Sequence, residues 1–197
     1  MSASPPSSTA QEIDDAELVA RTTRGEPGAF EQLVDRHRPV VVRVAARIVG
    51  SGEAEDVSQD AFLRAFHRLD RFRGEAPFRA WLLTITHNTA LSTAGRRAKL
   101  ARSDSADDKG SDQVTERGPA EQLELRERLA RLDTKLKGLS PEHRIVLVLR
   151  DVEGLTYEEI ARITGTPLGS VKARLHRARN ELIELLRTNT YDWELPA

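Results

Sequence analysis

Ser170, Lys172, Arg174, His176 and Arg177 crowd into eight positions near the C-terminal end of the chain. They interleave with Val171, Leu175, Ala178, Leu182 and Leu185, which recur at helical spacing, so the polar set shares a helix with an apolar stripe. Guanidinium and ammonium groups near a helix start can pair with guanine acceptors in a major groove, and a serine can serve phosphate or base. Just upstream, Thr156 and Glu159 have capping-box spacing for a short helix holding Ile160, Ala161 and Ile163. Gly165, Thr166, Pro167 and Leu168 then predict a turn, and Gly169 or Ser170 the start of the last helix. Ala161 is small enough for a second helix to pass closely. An ordinary helical hairpin with a solvated basic face uses similar residues, but caps, small residues and charge together favour a helix-turn-helix.

A second stretch, FRGEAPFRAWLLTITHN from Phe72 to Asn88, combines Phe72, Phe78 and Trp81 with a glycine-containing loop, Arg79 and Asn88. Aromatic rings on basic ground can stack on unpaired bases, and an asparagine amide can read a base edge. The competing reading makes the aromatics plain core. On the preceding helix, Asp56, Gln59 and Asp60 lie on the polar side, opposite Val57, Ala61 and Ala65, as a solvated face or a partner surface.

Other chemistries have little to stand on. The chain has no cysteine, which removes disulfides, thiolate zinc sites and cysteine nucleophiles, and fits a reducing compartment. The five histidines (37, 67, 87, 143, 176) lack paired-ligand spacing, so no metal and no cofactor is expected. No carboxylate cluster or phosphate loop suggests an enzyme.

These segments need helices to hold them. The sequence of 197 residues (22.0 kDa) is 31% charged, with 5 Phe, 2 Tyr and 2 Trp, as suits a largely helical protein with small cores. No run of about 18 apolar residues predicts a membrane span, and MSASPPSSTAQEIDD lacks the pattern of a secretory signal. A soluble intracellular protein is the expectation. The net charge of −1 conceals two basic islands. Residues 61–100 carry eight basic and two acidic side chains, and 169–187 carry five and two. Two polyanion-facing surfaces would explain them, as would two solvated helix faces.

The punctuation predicts an all-α chain of two small helical domains. Residues 1–12 read as a disordered N-terminus and 13–101 as a first domain. Asp14 and Glu17 form a capping box, Pro39 kinks or breaks a helix, Gly50 stops it, and a turn follows at 51–53. Pro77 then starts another helix. Residues 102–118, with Val114 as their one aliphatic side chain, read as a flexible linker able to reach about 55–60 Å. A second domain spans 119–187: a helix from Pro119 with Leu123, Leu129, Leu132 and Leu136, closed by Gly138, then one capped by Ser140 with Pro141 at its first position, ended by Gly154. Residues 188–197 form a tail with Tyr191 and Trp193.

Two long runs carry a resemblance. AEDVSQDAFLRAFHRLDRFRGEAPFRAWLLTITHN (Ala54 to Asn88) and LSPEHRIVLVLRDVEGLTYEEIARITGTPLGSVKARLHRAR (Leu139 to Arg179) resemble region 2 and region 4 of bacterial extracytoplasmic-function (ECF) sigma factors, in the sigma-70 family. The resemblance implies a cytoplasmic, non-enzymatic protein that binds core RNA polymerase, at the clamp helices of the largest subunit and the flap of the second. It further implies promoter recognition, melting of the minus-10 element and control by an anti-sigma factor. By position, Asp56, Gln59 and Asp60 would dock on polymerase. Gly74, Glu75, Ala76, Phe78, Arg79 and Asn88 would serve the minus-10 element, and Ser170, Lys172, Arg174, His176 and Arg177 the minus-35 element. One departure stands out: many relatives carry N-x-x-x-D-x-x-R, whereas Ser92 follows Asn88 here, with Arg96 beyond. That bears on fine minus-10 preference. A free-standing helix-turn-helix regulator is the rival reading; it leaves FRGEAPFRAWL unexplained.

Overall fold

The computed structural model describes residues 13–103, 134–136 and 138–187, and all regular structure among them is helical. The expected segments 1–12 and 188–197, most of 102–118, and Leu123, Leu129 and Leu132 lie outside the described residues. Four helices make the first group: α1 (Asp15–Thr23), α2 (Ala29–Val49), α3 (Ser51–His67) and α4 (Phe78–Ser103), with a 3-10 turn at Leu69–Arg71.

Asp14 caps α1, its carboxylate accepting from the Glu17 N–H at 2.8 Å. Glu17 does not return the contact; its carboxylate accepts from Arg21 and Arg24 instead. One expectation is narrowed in α2 and one corrected in α3. Pro39 lies inside α2 without ending it. It sits on the exposed face, where the carbonyl robbed of an N–H partner can turn to water. The turn expected at 51–53 is the first turn of α3. Gly50, at φ 90° and ψ 167°, is both the C-cap of α2 and the N-cap of α3. A conformation open to glycine thus does in one residue what a loop would do in several.

The bundle closes around Leu18, Leu33, Val41, Val44, Leu82 and Leu83, all fully buried. A smaller cluster of Ala45, Val49, Ala54, Val57 and Ala90 lets α2, α3 and α4 approach closely. Thr86 is buried as well, and its hydroxyl donates to the Leu82 carbonyl at 3.0 Å, so no polar atom is stranded there.

The second group holds α5 (Pro141–Leu147), a π turn (Val148–Val152), α6 (Tyr157–Thr164) and α7 (Leu168–Arg187). Ser140 caps α5 by accepting from the His143 N–H. At α6 the full capping box forms: Glu159 N–H donates to Thr156 Oγ1, and Thr156 N–H to the Glu159 carboxylate. Gly138 lies where a Cβ would stand 3.2 Å from Leu185 Cδ1, so that position favours glycine. The two groups meet along a seam of α2 and α4 against α5, the π turn and α6, and their cores form one cluster.

Burial also sets a pH dependence. His87 is enclosed on α4 with Nδ1 unpaired. Burial depresses its pKa, partly offset by the Asn88 side chain. His37 is depressed by burial too, against the opposing pull of Asp15. Both rings fold neutral, so the unfolded chain binds more protons as acid is added. Their stabilisation is whole above the ordinary histidine value near ~6.5 and declines as pH falls through and below it. The urea midpoint should therefore drop between pH 7.5 and 5.5, and His87→Leu should shrink that drop. An undiminished drop in the variant would assign the acid sensitivity elsewhere.

Candidate nucleic-acid interface

Helices α6 and α7 form the helix-turn-helix. Gly165 takes φ 63° at the end of α6, a left-handed turn that a side chain would strain. The Pro167 carbonyl accepts from the Ser170 and Val171 N–H groups and starts α7, which begins at Leu168 rather than at the expected Gly169 or Ser170. Ile160 and Ile163 of α6 and Val171, Leu175 and Ala178 of α7 are buried, which turns the intervening residues of α7 outward.

The residues expected to meet the minus-35 element divide by exposure. Lys172, His176 and Arg177 are exposed, and Ser170 is half-buried. Arg177 rests its Nε on the Ala173 carbonyl at 3.3 Å, a weak local bond that a base could replace. Lys172 Nζ lies 5.8 Å from the Tyr157 ring centre. Arg174 differs from its neighbours: it is half-buried and paired with Glu142 of α5 at 3.3 Å. In this conformation its charge is tied to the domain's own surface.

The residues expected at the minus-10 element fall in three places. Gly74, at φ 70°, carries the loop over a shallow cavity lined by Glu75, Ala76, Asp14, Asp15, Arg36 and Phe78. Arg36 and His37 hold Asp15 at 2.6 and 2.8 Å, tying α1 to α2 beside this cavity. Phe78 is buried, packed on His37, Phe72 and Trp81 with ring centres 5.4, 5.7 and 5.7 Å away. It is the floor of the cavity rather than an exposed platform, so the core reading holds for this ring; Phe72 and Trp81 are half-buried. Asn88 is exposed in a separate cleft with Arg64, Arg68, Arg71, Trp81 and Ser92. Trp81 stands between the two cavities, lining the second and stacking on residues of the first. Arg79 turns away from both, toward Glu153 of the second group.

Sequence reasoning counted Arg64, Arg68 and Arg71 as part of a basic island but did not single them out. Their spacing of four and three was the available signal; Arg64 lies on α3, Arg68 at its C-cap and Arg71 in the 3-10 turn, and all three line the cleft. At position 92 the serine hydroxyl donates to the Asn88 carbonyl at 2.8 Å. No carboxylate stands there to compete with the asparagine amide.

On the opposite side of α3, an apolar groove runs between Phe30, Val34, Phe62, Leu63 and Phe66, with Gln59 on its wall. Leu63 is 56% and Phe66 49% exposed, a high value for side chains so apolar. Asp56 is exposed nearby on α3, and Asp60 is held by Arg64 at 3.0 Å.

Residues 33–100 match the family Sigma-70 region 2, and 129–182 match Sigma-70, region 4. The chain is 35% identical over 179 residues to the ECF RNA polymerase sigma-E factor of Escherichia coli, covering 87% of this chain and 94% of that one. It is 34% identical over 181 residues to the RNA polymerase sigma-H factor of Pseudomonas aeruginosa, covering 88% and 94%. Among solved structures it is similar to CnrH, in complex with the cytosolic domain of CnrY, at 30% identity and TM-score 0.65, covering 89% of this chain and 98% of that one. It is also similar to the sigma factor RpoE of Bartonella quintana, in complex with the anti-sigma factor NepR, at 27% and 0.69, covering 82% and 99%. With region 2 on the first helical group and region 4 on the second, the chain belongs to the ECF sigma factors of the sigma-70 family.

Proposed function

We propose that this sigma factor directs core RNA polymerase to promoters bearing minus-35 and minus-10 elements, helps open the latter, and is restrained in the cytoplasm by an anti-sigma factor. One observation carries the reading: a single chain presents two unlike surfaces whose chemistry suits DNA. The exposed Lys172, His176 and Arg177 on α7 suit the major groove of a duplex. The loop cavity suits an unpaired base, and the Trp81–Asn88 cleft, ringed by Arg64, Arg68 and Arg71, suits bases and their phosphates. A duplex-reading regulator needs the first surface alone.

Each part has a physical task. Arg177 would read bases, and Lys172, nearer the helix start, would serve mainly phosphate. Gly74, Glu75 and Ala76 would hold a flipped base over the Phe78 floor, while Asn88 would meet a base edge. The groove around Leu63 and Phe66, with Gln59 on its wall and Asp56 and Asp60 elsewhere on the same helix, supports docking on the polymerase clamp: apolar area for affinity, charge for register. Both solved relatives named above are held in complexes, one with a protein described as an anti-sigma factor, which supports similar restraint here.

Transcription with purified core polymerase separates the reading from its rival. The chain alone should start specific RNA on a promoter carrying both elements; a regulator would only modulate a holoenzyme. Asp56→Arg should weaken binding to core about tenfold, or ~1.4 kcal/mol, in a fluorescence titration, with the fold intact because an exposed charge reversal costs little stability. Unchanged affinity would remove Asp56 from the interface. In a minus-35 mutant library, Arg177→Ala should erase preference at one or two positions, worth about 1–3 kcal/mol each. Lys172→Ala should lower all promoters evenly and reduce the salt slope by about one. A uniform loss for Arg177→Ala would make it a backbone contact.

A further inference from the structure

Two neighbouring residues in the first turn of α5 reach across to α7. Glu142 pairs with Arg174 at 3.3 Å, and His143 donates through Nδ1 to the Glu181 carboxylate. Arg174 and Glu181 stand seven residues apart, two turns of one helix, so they share a flank of α7. The two contacts run in opposite senses. An acid of α5 takes a base of α7, and a donor of α5 meets an acid of α7. Exchanging their order would set Glu181 against Glu142, so the pattern admits one register. Another flank of α7 is held as well: Arg179 donates through Nε to Asp151 at 3.1 Å.

Helical phase keeps Arg174 off the side that meets DNA. It follows Val171 by three residues, and precedes Leu175 by one and Ala178 by four. Those three are buried against the domain, and the Arg174 side chain itself is only 28% exposed. Lys172, Ala173, His176 and Arg177 are exposed on the far side. A phosphate that approached Arg174 would also meet the Glu142 carboxylate.

We propose that Arg174 is a positioning residue rather than a DNA contact: paired with Glu142, it sets the roll of α7 and so the aim of His176 and Arg177. The role deepens the minus-35 reading of α7 and rests on it. An ion pair this exposed adds little to stability, so its effect lies in orientation. A roll of about 20° moves a side-chain end ~6 Å from the helix axis by about 2 Å. The window of good hydrogen-bond distances is only about 0.5 Å wide. Two anchors on one flank, two turns apart, resist that roll better than either alone.

Exchanging the charges of the pair tests the role. Holoenzyme assembled from core polymerase and the full chain is titrated with a fluorescein-labelled duplex that spans a promoter the parent chain starts in vitro. Arg174→Glu sets two acids against each other and should weaken binding about tenfold. Adding Glu142→Arg restores the pair with its charges reversed, and should return affinity to within about threefold of the parent. Glu142→Arg alone should give no gain. If Arg174→Glu stays weak with Glu142→Arg present, or if Glu142→Arg strengthens both backgrounds by one common factor, the role is overturned. Arg174→Ala introduces no reversed charge that could disturb the fold, and gives a second test. Its salt slope should equal the parent's, while Lys172→Ala lowers the slope by about one. A slope lowered by about one in Arg174→Ala would make Arg174 a phosphate contact, which also overturns the role. The parent should bind more weakly when the minus-35 element is scrambled. Equal binding there, seen without any substitution, would sink the minus-35 reading itself and the positioning role with it.

Discussion

The placement of α4 governs nearly everything else. Its Leu82, Leu83, Thr86, Thr89 and Ala90 are buried in the bundle, and that packing fixes the helix in rotation as well as position. Once it is fixed, the remaining faces have no choice of direction. Phe78 goes down into the aromatic cluster, Asn88 goes out into the arginine cleft, and Arg79 goes across to the second domain. A rotation of one residue, about 100° on a helix of 3.6 residues per turn, would exchange these assignments and bury the amide. The tight cluster of alanines and valines between α2, α3 and α4 forbids such slippage, because interiors are packed too densely to absorb it.

Electrostatics adds to a shared apolar core in setting how the two domains relate. The arginines that suit a polyanion also repel one another, so a free protein rich in them needs an internal acid wherever two basic faces touch. Glu153 fills that role at the seam, and Asp151, only two residues earlier, holds Arg179 of α7 at 3.1 Å. Both acids sit where the π turn ends, so one short segment anchors the recognition helix to its own domain and that domain to its neighbour.

The local parts of this architecture were legible in the sequence, and the long-range parts were not. Thr156 with Glu159, Ser140 with Pro141, and the glycine at position 165 each declare themselves within four residues, because capping and turn chemistry are short-range. Pro39 was legible only in part: whether a proline breaks a helix or is carried through it depends on which side faces water, and that is a property of the packed bundle. Gly50 stops α2 as expected, but the turn placed at 51–53 misled, because one residue in an unusual conformation can replace it. The partnership of Arg79 with Glu153 spans 74 positions and leaves no periodic trace. Similarly, the pattern placed Phe78 and Asn88 on one helix but could not tell that they open into different cavities on either side of Trp81.

The central claim is that both DNA surfaces act together on one promoter. Mapping transcription start sites across a bacterial genome before and after raising the level of this chain tests it most directly. The account predicts a set of new starts, each preceded by two shared sequence elements at a near-constant separation of roughly 25 base pairs. New starts that share only a single upstream duplex element, or changed output from existing starts alone, would contradict it.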